Sequence, residues 1–160
     1  MARAAPVAGI SPEQRSGEAV AQVLEVRSGE LAAHARALGR EPSGEALHDV
    51  RVDLRRLRSL LEAFAPCFPE RARRRVVEEL KELSAALGVR RDREVLEELL
   101  ARHLAQSPAP SRSALAGLRA SVQEQRAGEQ QQLADAVARL QSGRLDRQLE
   151  KLAERAREPR

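Results

Sequence analysis

Four basic side chains recur at three- and four-residue steps in the segment HDVRVDLRRLR, namely His48, Arg51, Arg55 and Arg58. At about 100° per residue in a helix, they fall within an arc of about 80° on one face. Like-charge neighbours at these steps destabilise a helix by roughly 0.2 to 0.5 kcal/mol per pair. No acid lies three or four residues from Arg51 or Arg55 to relieve this repulsion. Because guanidinium groups match phosphate oxygens in pairs, the spacing predicts a surface that binds an anion.

The positive charge of the chain is concentrated around this segment. Residues 48–93 hold twelve Arg or Lys and eight Asp or Glu, a net charge of +4, which equals the net charge of all 160 residues. The remaining residues are therefore balanced in charge. A basic region localised in this way favours a polyanionic partner.

The composition predicts an all-α fold. Ala, Leu, Glu and Arg are abundant, and the chain has two Phe but no Trp or Tyr, so few aromatic rings are present for stacking on bases. The single cysteine, Cys67, excludes an internal disulfide and fits a reducing compartment. No apolar stretch has the length of a membrane span, and the N-terminus lacks the apolar run of a signal peptide. We therefore expect a cytoplasmic protein that does not enter membranes.

Apolar periodicity and capping signals predict an antiparallel bundle of about six helices. The first helix starts at a capping box formed by Ser11 and Gln14, and it runs to about Gly39. The second starts at Ser43, whose hydroxyl suits an N-cap, and it ends before Pro66. Its leucines form a row separate from the basic face, which makes it the clearest amphipathic helix in the chain.

The remaining helices are predicted from proline, glycine and acidic signals. The third opens at Pro69 and ends at a C-terminal signal, Gly88. The fourth starts near Asp92, where a negative charge suits a helix N-terminus. A long fifth helix follows Ser111, and a short sixth follows Gly143.

The domain prediction follows from these elements. Residues 1–10 are expected to be disordered, and residues 11–158 to form a single helical domain. Within that domain, residues 43–105 hold the basic motifs, and residues 111–158 hold the long helix and the terminal helix.

Three motifs in order resemble the CHAD domain, the conserved histidine α-helical domain. They are H-x-x-R-x-x-x-R-R-L-R from His48, LKEL around Lys81, and LGVRRDREVL from Leu87 to Leu96. The similarity covers roughly residues 15–158. It implies an all-helical fold that binds inorganic polyphosphate, often at polyphosphate granules, with basic side chains lining a groove or pore.

The resemblance also implies site residues. Carried over by motif, the phosphate contacts are His48, Arg51, Arg55, Arg56, Arg58, Lys81 and Arg91. Arg90 joins them because amides at a helix N-terminus near arginines favour an anion, and Arg74, one heptad before Lys81, is an additional candidate. The alternatives are a solvated face for the stripe, a satisfied histidine at the core boundary for His48, and a plain interhelix turn for Arg90 and Arg91. Arg56 is a weaker match, since it projects about 100° from Arg55 and lies near Asp53.

The chain resembles only half of the family's two-bundle fold, because nothing after Gln106 repeats the first motif. Two arrangements are compatible with this. The chain either forms a smaller bundle with half a groove, or two copies associate about a two-fold axis and rebuild both sides. We favour the homodimer, because a polymeric ligand binds two aligned stripes at a higher effective concentration.

Other classes of function remain as alternatives. A basic helical or structural protein can bind the backbone of nucleic acid, although the scarcity of aromatic residues and of base-reading amides near the stripe argues against it. The adjacent His48 and Asp49 resemble part of a metal-dependent phosphohydrolase site, but His34 and His103 lack matching acids. We therefore expect binding without catalysis, and neither a metal nor a cofactor.

Overall fold

A computed structural model shows an all-helical protein, as the composition predicts. Its five main helices are α1 (Ser16–Ala37), α2 (Gly44–Ala63), α3 (Glu70–Gln106), α4 (Arg126–Gln141) and α5 (Arg144–Arg157). The structure describes residues 4–39, 42–106, 108, 115–118, 120–121 and 126–158, except for the side chains at 89–94, 97, 126 and 127. Residues 115–118 and 120–121 are also helical, and no strand occurs within these ranges.

The helices pack around α1 and α2. On one side α1 lies against α5, on the other it lies against α2, and α2 in turn packs on α3, which also contacts α4. The core is built mainly from leucines; the fully buried ones include Leu24, Leu31, Leu47, Leu54, Leu57, Leu61, Leu80, Leu83, Leu87, Leu145, Leu149 and Leu152. Complete burial of one such side chain contributes roughly 1.5 to 3 kcal/mol to folding. This aliphatic core is thus what holds α2 and α3 in place.

Small residues bring α1 and α5 together. A Cβ atom added at Gly17 would collide with the backbone carbonyl of Ala156. Ala21 on α1 and Ala153 on α5 are also completely buried. Gly17 therefore has a packing role that offsets its weak helix propensity, because no larger residue fits where the two backbones meet.

An ion pair joins the same two helices near the chain ends. Arg157 donates hydrogen bonds of 2.6 Å from Nη1 and Nη2 to the two carboxylate oxygens of Glu25. These bonds hold the pKa of Glu25 below its usual value. The pair is partly exposed to water, so we expect a small contribution to stability.

The predicted start of the first helix is wrong, whereas the second helix agrees with the sequence. Ser11 does not cap α1, because its hydroxyl donates to the carboxylate of Glu13 and its carbonyl accepts from Gln14 in a turn. The helix begins five residues later, at Ser16. In α2 the Ser43 hydroxyl accepts a 3.2 Å hydrogen bond from the amide of Ala46, which confirms the predicted cap.

The N-terminal segment lies against α1. The sequence predicts a disordered segment here; residues 4–10 form no helix or strand. The amide of Ala5 nevertheless donates to Glu30, and the carbonyl of Ala8 accepts from the side chain of Gln22.

The predicted third and fourth helices are one continuous helix, α3, so the predicted break at Gly88 is wrong. Among the described glycines only Gly9 and Gly143 have a positive φ, which means that Gly88 is not in the left-handed conformation of a C-terminal signal. A glycine inside a helix costs only about 1 kcal/mol relative to alanine. The neighbouring Leu87, Val89 and Arg90 can continue the helix, and no proline interrupts it. The predicted helix N-terminus at Asp92 therefore does not exist.

The predictions for the C-terminal half of the chain have different outcomes. Gly143 has φ +67° and immediately precedes α5, as predicted for a residue between two helices. The predicted linker and the start of the fifth helix fall largely on residues 107, 109–114 and 122–125, which lie outside the described part of the chain. In α3 the apolar side chains of Val95, Leu96 and Leu99 remain exposed, although Leu100 is buried.

Candidate anion-binding site

The basic face of α2 is held beside the core by the amphipathic pattern of the helix. Leu47, Val50, Leu54, Leu57 and Leu61 are all completely buried, which fixes the rotation of α2. Steps of three and four residues then place His48, Arg51, Arg55 and Arg58 on an adjacent face. His48 and Arg55 are exposed, and Arg51 and Arg58 are half-buried.

These four side chains line one shallow cleft together with Val52 of α2 and Ser84 of α3. We call it the α2 cleft; its volume is about 290 Å³. The residues that sequence reasoning selected by helical spacing are therefore neighbours in space. The wall from α3 was not predicted, because it depends on how α3 packs across α2.

Gly88 lets α3 approach the arginine stripe closely. A Cβ atom at this position would lie 3.5 Å from Nη2 and 3.7 Å from Cζ of Arg51. The guanidinium group therefore lies directly over the backbone of α3. Ser84, one turn earlier, has its hydroxyl bonded to the carbonyl of Leu80 at 2.8 Å. Small residues at an i, i+4 spacing on α3 are the sequence signal that could have located this wall.

The arginines of the α2 cleft are poorly neutralised. Within the described part of the chain, neither Arg51 nor Arg55 lies within ion-pair distance of a carboxylate, whereas Arg58 Nε lies 3.9 Å from Glu62. This agrees with the sequence, which offered an acid only to Arg58. Among the described residues these three guanidinium groups have one acid, 3.9 Å from Arg58, and they repel one another. An anion that bridges them would relieve that repulsion.

Lys81 lies near the α2 cleft but does not line it. It occupies the same face of α3 as Ser84 and Gly88, at i, i+3 and i+7. Its ammonium group is half exposed and lies 3.4 Å from Glu78. Arg74, two turns earlier, is 72% exposed and pairs with Glu70 at 2.5 Å. Lys81 can extend the cleft along α3, and Arg74 lies outside it.

Arg56 lies on a different side of α2 from the cleft. Its Nη1 is 3.4 Å from Oδ1 of Asp53, a carboxylate that is only 2% exposed. His34 of α1 contacts the other oxygen of Asp53 at 2.5 Å. Arg56 also lines a separate groove with Arg27, and Arg55 reaches both openings. The structure thus places Arg56 outside the α2 cleft and ties it to the α1–α2 interface, where it shares a groove with Arg55.

The side chains of Arg90 and Arg91 lie outside the described part of the chain, although their backbone belongs to α3. The argument that helix N-terminal amides form an anion site beside them is wrong. Because α3 runs without interruption from Glu70 to Gln106, the amides near Asp92 are inside a helix rather than at its start.

Among the described residues, no group of three or more His, Cys, Asp or Glu side chains is arranged to hold a metal ion. No helix in the same ranges is long and apolar enough to cross a membrane.

Comparison with known proteins gives one positive result. The family model described as the CHAD domain matches residues 22–160, which is most of the chain and includes the whole α2 cleft. A search of curated proteins found no matching sequence.

Proposed function

Because this chain belongs to the CHAD domain family, we propose that it binds inorganic polyphosphate, without catalysis, through the α2 cleft. The observation that carries this proposal is the convergence of His48, Arg51, Arg55 and Arg58 on one cleft. In the described part of the chain, Arg51 and Arg55 have no carboxylate partner there. A localised set of basic side chains with one acidic partner among the described residues favours a polyanion.

The proposed mechanism is electrostatic and multidentate. Each guanidinium group offers a flat fork of donors that matches two phosphate oxygens. From His48 to Arg58 the stripe extends about 15 Å along α2, at 1.5 Å per residue. A linear polyphosphate lying along the stripe would contact several cations at once and could bind in many registers. Affinity should therefore rise with chain length.

The proposal assigns no chemical step to the α2 cleft. Its described lining side chains are three arginines, one histidine, a valine and a serine, without a carboxylate to act as a base or to hold a metal. In the cell, such a domain would direct its protein to polyphosphate, including polyphosphate granules. Release of phosphate from polyphosphate by the pure protein would contradict this part of the proposal.

The test is an anisotropy titration of labelled long-chain polyphosphate at two salt concentrations. The variant Arg51→Ala, Arg55→Ala, Arg58→Ala removes three charges from the cleft. If each arginine contributes about 1 to 1.5 kcal/mol net, affinity should fall by a factor on the order of 100 or more. The slope of affinity against salt should also become shallower, by analogy with phosphate contacts in nucleic acid.

A matched control removes the same charge elsewhere. The variant Arg36→Ala, Arg144→Ala, Arg147→Ala changes three exposed arginines of α1 and α5 that do not line the α2 cleft. Its affinity should stay close to that of the wild type. Equal losses in both triple variants would show a diffuse charge effect, and duplex DNA that outcompetes polyphosphate would favour a nucleic-acid partner.

The proposal includes a homodimer, supported by exposed apolar residues on α3. Val95, Leu96 and Leu99 are 46%, 38% and 41% exposed, and they occupy neighbouring positions on one helix. Burial against a second copy would remove this apolar surface from water. Light scattering should give a dimer mass for the wild type and a monomer mass for Leu96→Glu, Leu99→Glu. A monomer mass for the wild type, with and without polyphosphate, would reject the dimer.

A further inference from the structure

A second and larger cleft lies between the start of α3 and α5. Its volume is about 640 Å³, and we call it the α3–α5 cleft. Its walls are formed by the first two turns of α3, with Arg71 and Arg75, and by α5, with Lys151 and Arg155. No residue of α2 lines it, and the part of α3 that lines it is different from the part that lines the α2 cleft.

The rim of the α3–α5 cleft is cationic. Arg71 and Arg75 follow each other by one turn on α3, and Lys151 and Arg155 do the same on α5, so two rows of positive charge flank the opening. All four side chains are exposed. No acid occurs among the described lining residues, and none of the four forms an ion pair within the described part of the chain.

The floor of the same cleft is apolar. Val76 and Leu152 are each only 2% exposed, and the half-buried Ala72 lies beside them. The accessible lining between the charged groups is also mostly apolar and includes Ala72, and a ligand that carried charge alone would leave that apolar surface in contact with water. The combination of an apolar floor and a cationic rim instead suits a ligand with both apolar and anionic groups.

The lining also decides between two kinds of polyanion. Fully ionised polyphosphate has no apolar surface to place against the apolar part of the cleft. An acidic polypeptide segment with apolar side chains carries both kinds of group.

We propose that the α3–α5 cleft binds an acidic peptide segment with apolar side chains from a partner protein. Carboxylates of the segment pair with Arg71, Arg75, Lys151 and Arg155, and an apolar side chain lies against the half-buried Ala72. This binding does not depend on the polyphosphate proposal.

The two clefts are far enough apart to be occupied together. Arg75 and Ser84 are nine residues apart on α3, which corresponds to about 13 Å at 1.5 Å per residue. A domain with both sites occupied would hold an acidic protein segment beside a polyanion that would otherwise repel it. The chain would then act as an adaptor between two negatively charged partners.

The experiment uses the full chain and a fluorescein-labelled peptide made of four repeats of Glu-Glu-Leu. Two control peptides replace either every leucine by serine or every glutamate by glutamine. Anisotropy titration should show binding of the first peptide and at least about tenfold weaker binding of both controls. Equal binding of the serine peptide would overturn the proposal, because it would show attraction to charge alone.

Variants of the protein locate the binding. Arg71→Glu, Lys151→Glu should weaken peptide binding by about tenfold or more, since it reverses one charge on each wall. The control Arg36→Glu, Arg147→Glu makes the same change in net charge at exposed positions outside the cleft, and it should bind normally. A milder pair, Arg75→Gln with Arg155→Gln, should weaken binding in the same direction, and circular dichroism checks that every variant is folded.

Other occupants give distinguishable results. Polyphosphate and vesicles of phosphatidylglycerol are titrated against the wild type and the Arg71→Glu, Lys151→Glu variant. The proposal is overturned if that variant loses binding to polyphosphate or vesicles while the peptide binds no tighter than its controls. It is also overturned if the variant retains full affinity for the peptide.

Discussion

Replacement of Gly88 by alanine tests whether α3 is continuous. The free energy of unfolding should rise if Gly88 lies inside a helix and fall if Gly88 ends one. If Gly88 ended a helix in the left-handed conformation, a Cβ atom there would cost roughly 1 to 2 kcal/mol. In the structure it lies inside a continuous helix without a positive φ. We therefore expect Gly88→Ala to stabilise the protein.

The magnitude follows from helix propensity and from the space around the residue. Alanine is favoured over glycine inside a helix by about 1 kcal/mol. Among the described residues, and apart from the backbone of α3 itself, the atoms nearest the added methyl group are Nη2 and Cζ of Arg51, at 3.5 and 3.7 Å, which are ordinary contact distances. Neither contact is short enough to offset the gain. A gain of 1 kcal/mol should raise the melting temperature by about 2 to 4 °C in a chain of this size.

The assay is thermal unfolding followed by circular dichroism, with Gly143→Ala as the matched control. Gly143 has φ +67°, so alanine there should lower the melting temperature. A lower melting temperature for Gly88→Ala would refute the continuous helix and support the break that the sequence predicts.

A larger substitution at the same position tests the α2 cleft. Leucine at position 88 would occupy the space over which the guanidinium group of Arg51 lies. Affinity for polyphosphate should then fall by about tenfold, the loss of one charge-assisted contact, while Gly88→Ala keeps nearly full affinity. If the leucine variant kept the affinity of the wild type, the position of the Arg51 guanidinium group over α3 would not be required for binding polyphosphate.

Three further predictions concern stability. Asp53→Ala removes the buried carboxylate that contacts His34, and we expect a loss of about 1 to 3 kcal/mol in urea denaturation; a loss below about 0.5 kcal/mol would contradict that role. Hydrogen bonds from Arg157 lower the pKa of Glu25. The contribution of this pair to the free energy of unfolding is therefore fully present above the unfolded-state pKa of Glu25, and it is lost as pH falls through the lower folded-state pKa. The difference in stability between wild type and Glu25→Gln, about 0.2 to 1 kcal/mol at pH 7, should therefore shrink toward pH 3, and a constant difference would argue against the pair. Gly17→Ala should lower the melting temperature despite its better helix propensity, because the methyl group collides with the backbone of α5, and an increase would show that the helices separate easily.

Local rules predicted α2 well because its signals agree with one another. The Ser43 cap, the buried leucine row and Pro66 all specify the same helix, and the structure has it at Gly44–Ala63. The same rules failed where one residue type is compatible with more than one local structure. The hydroxyl of Ser11 bonds to Glu13 instead of capping a helix. Gly88 leaves space for the side chain of Arg51 instead of ending a helix.

The sequence by itself determined the all-helical class, the family and the basic face of α2, because composition, motifs and the 100° step between residues are local properties. Only the tertiary structure decided which cations share a cleft, since this depends on how α3 packs across α2. That packing placed Ser84 and Gly88 opposite the stripe and left Arg56 against Asp53. It also brought residues from the start of α3 and from α5 together in the α3–α5 cleft. Their separation of more than 70 positions along the chain hides that neighbourhood from any local pattern.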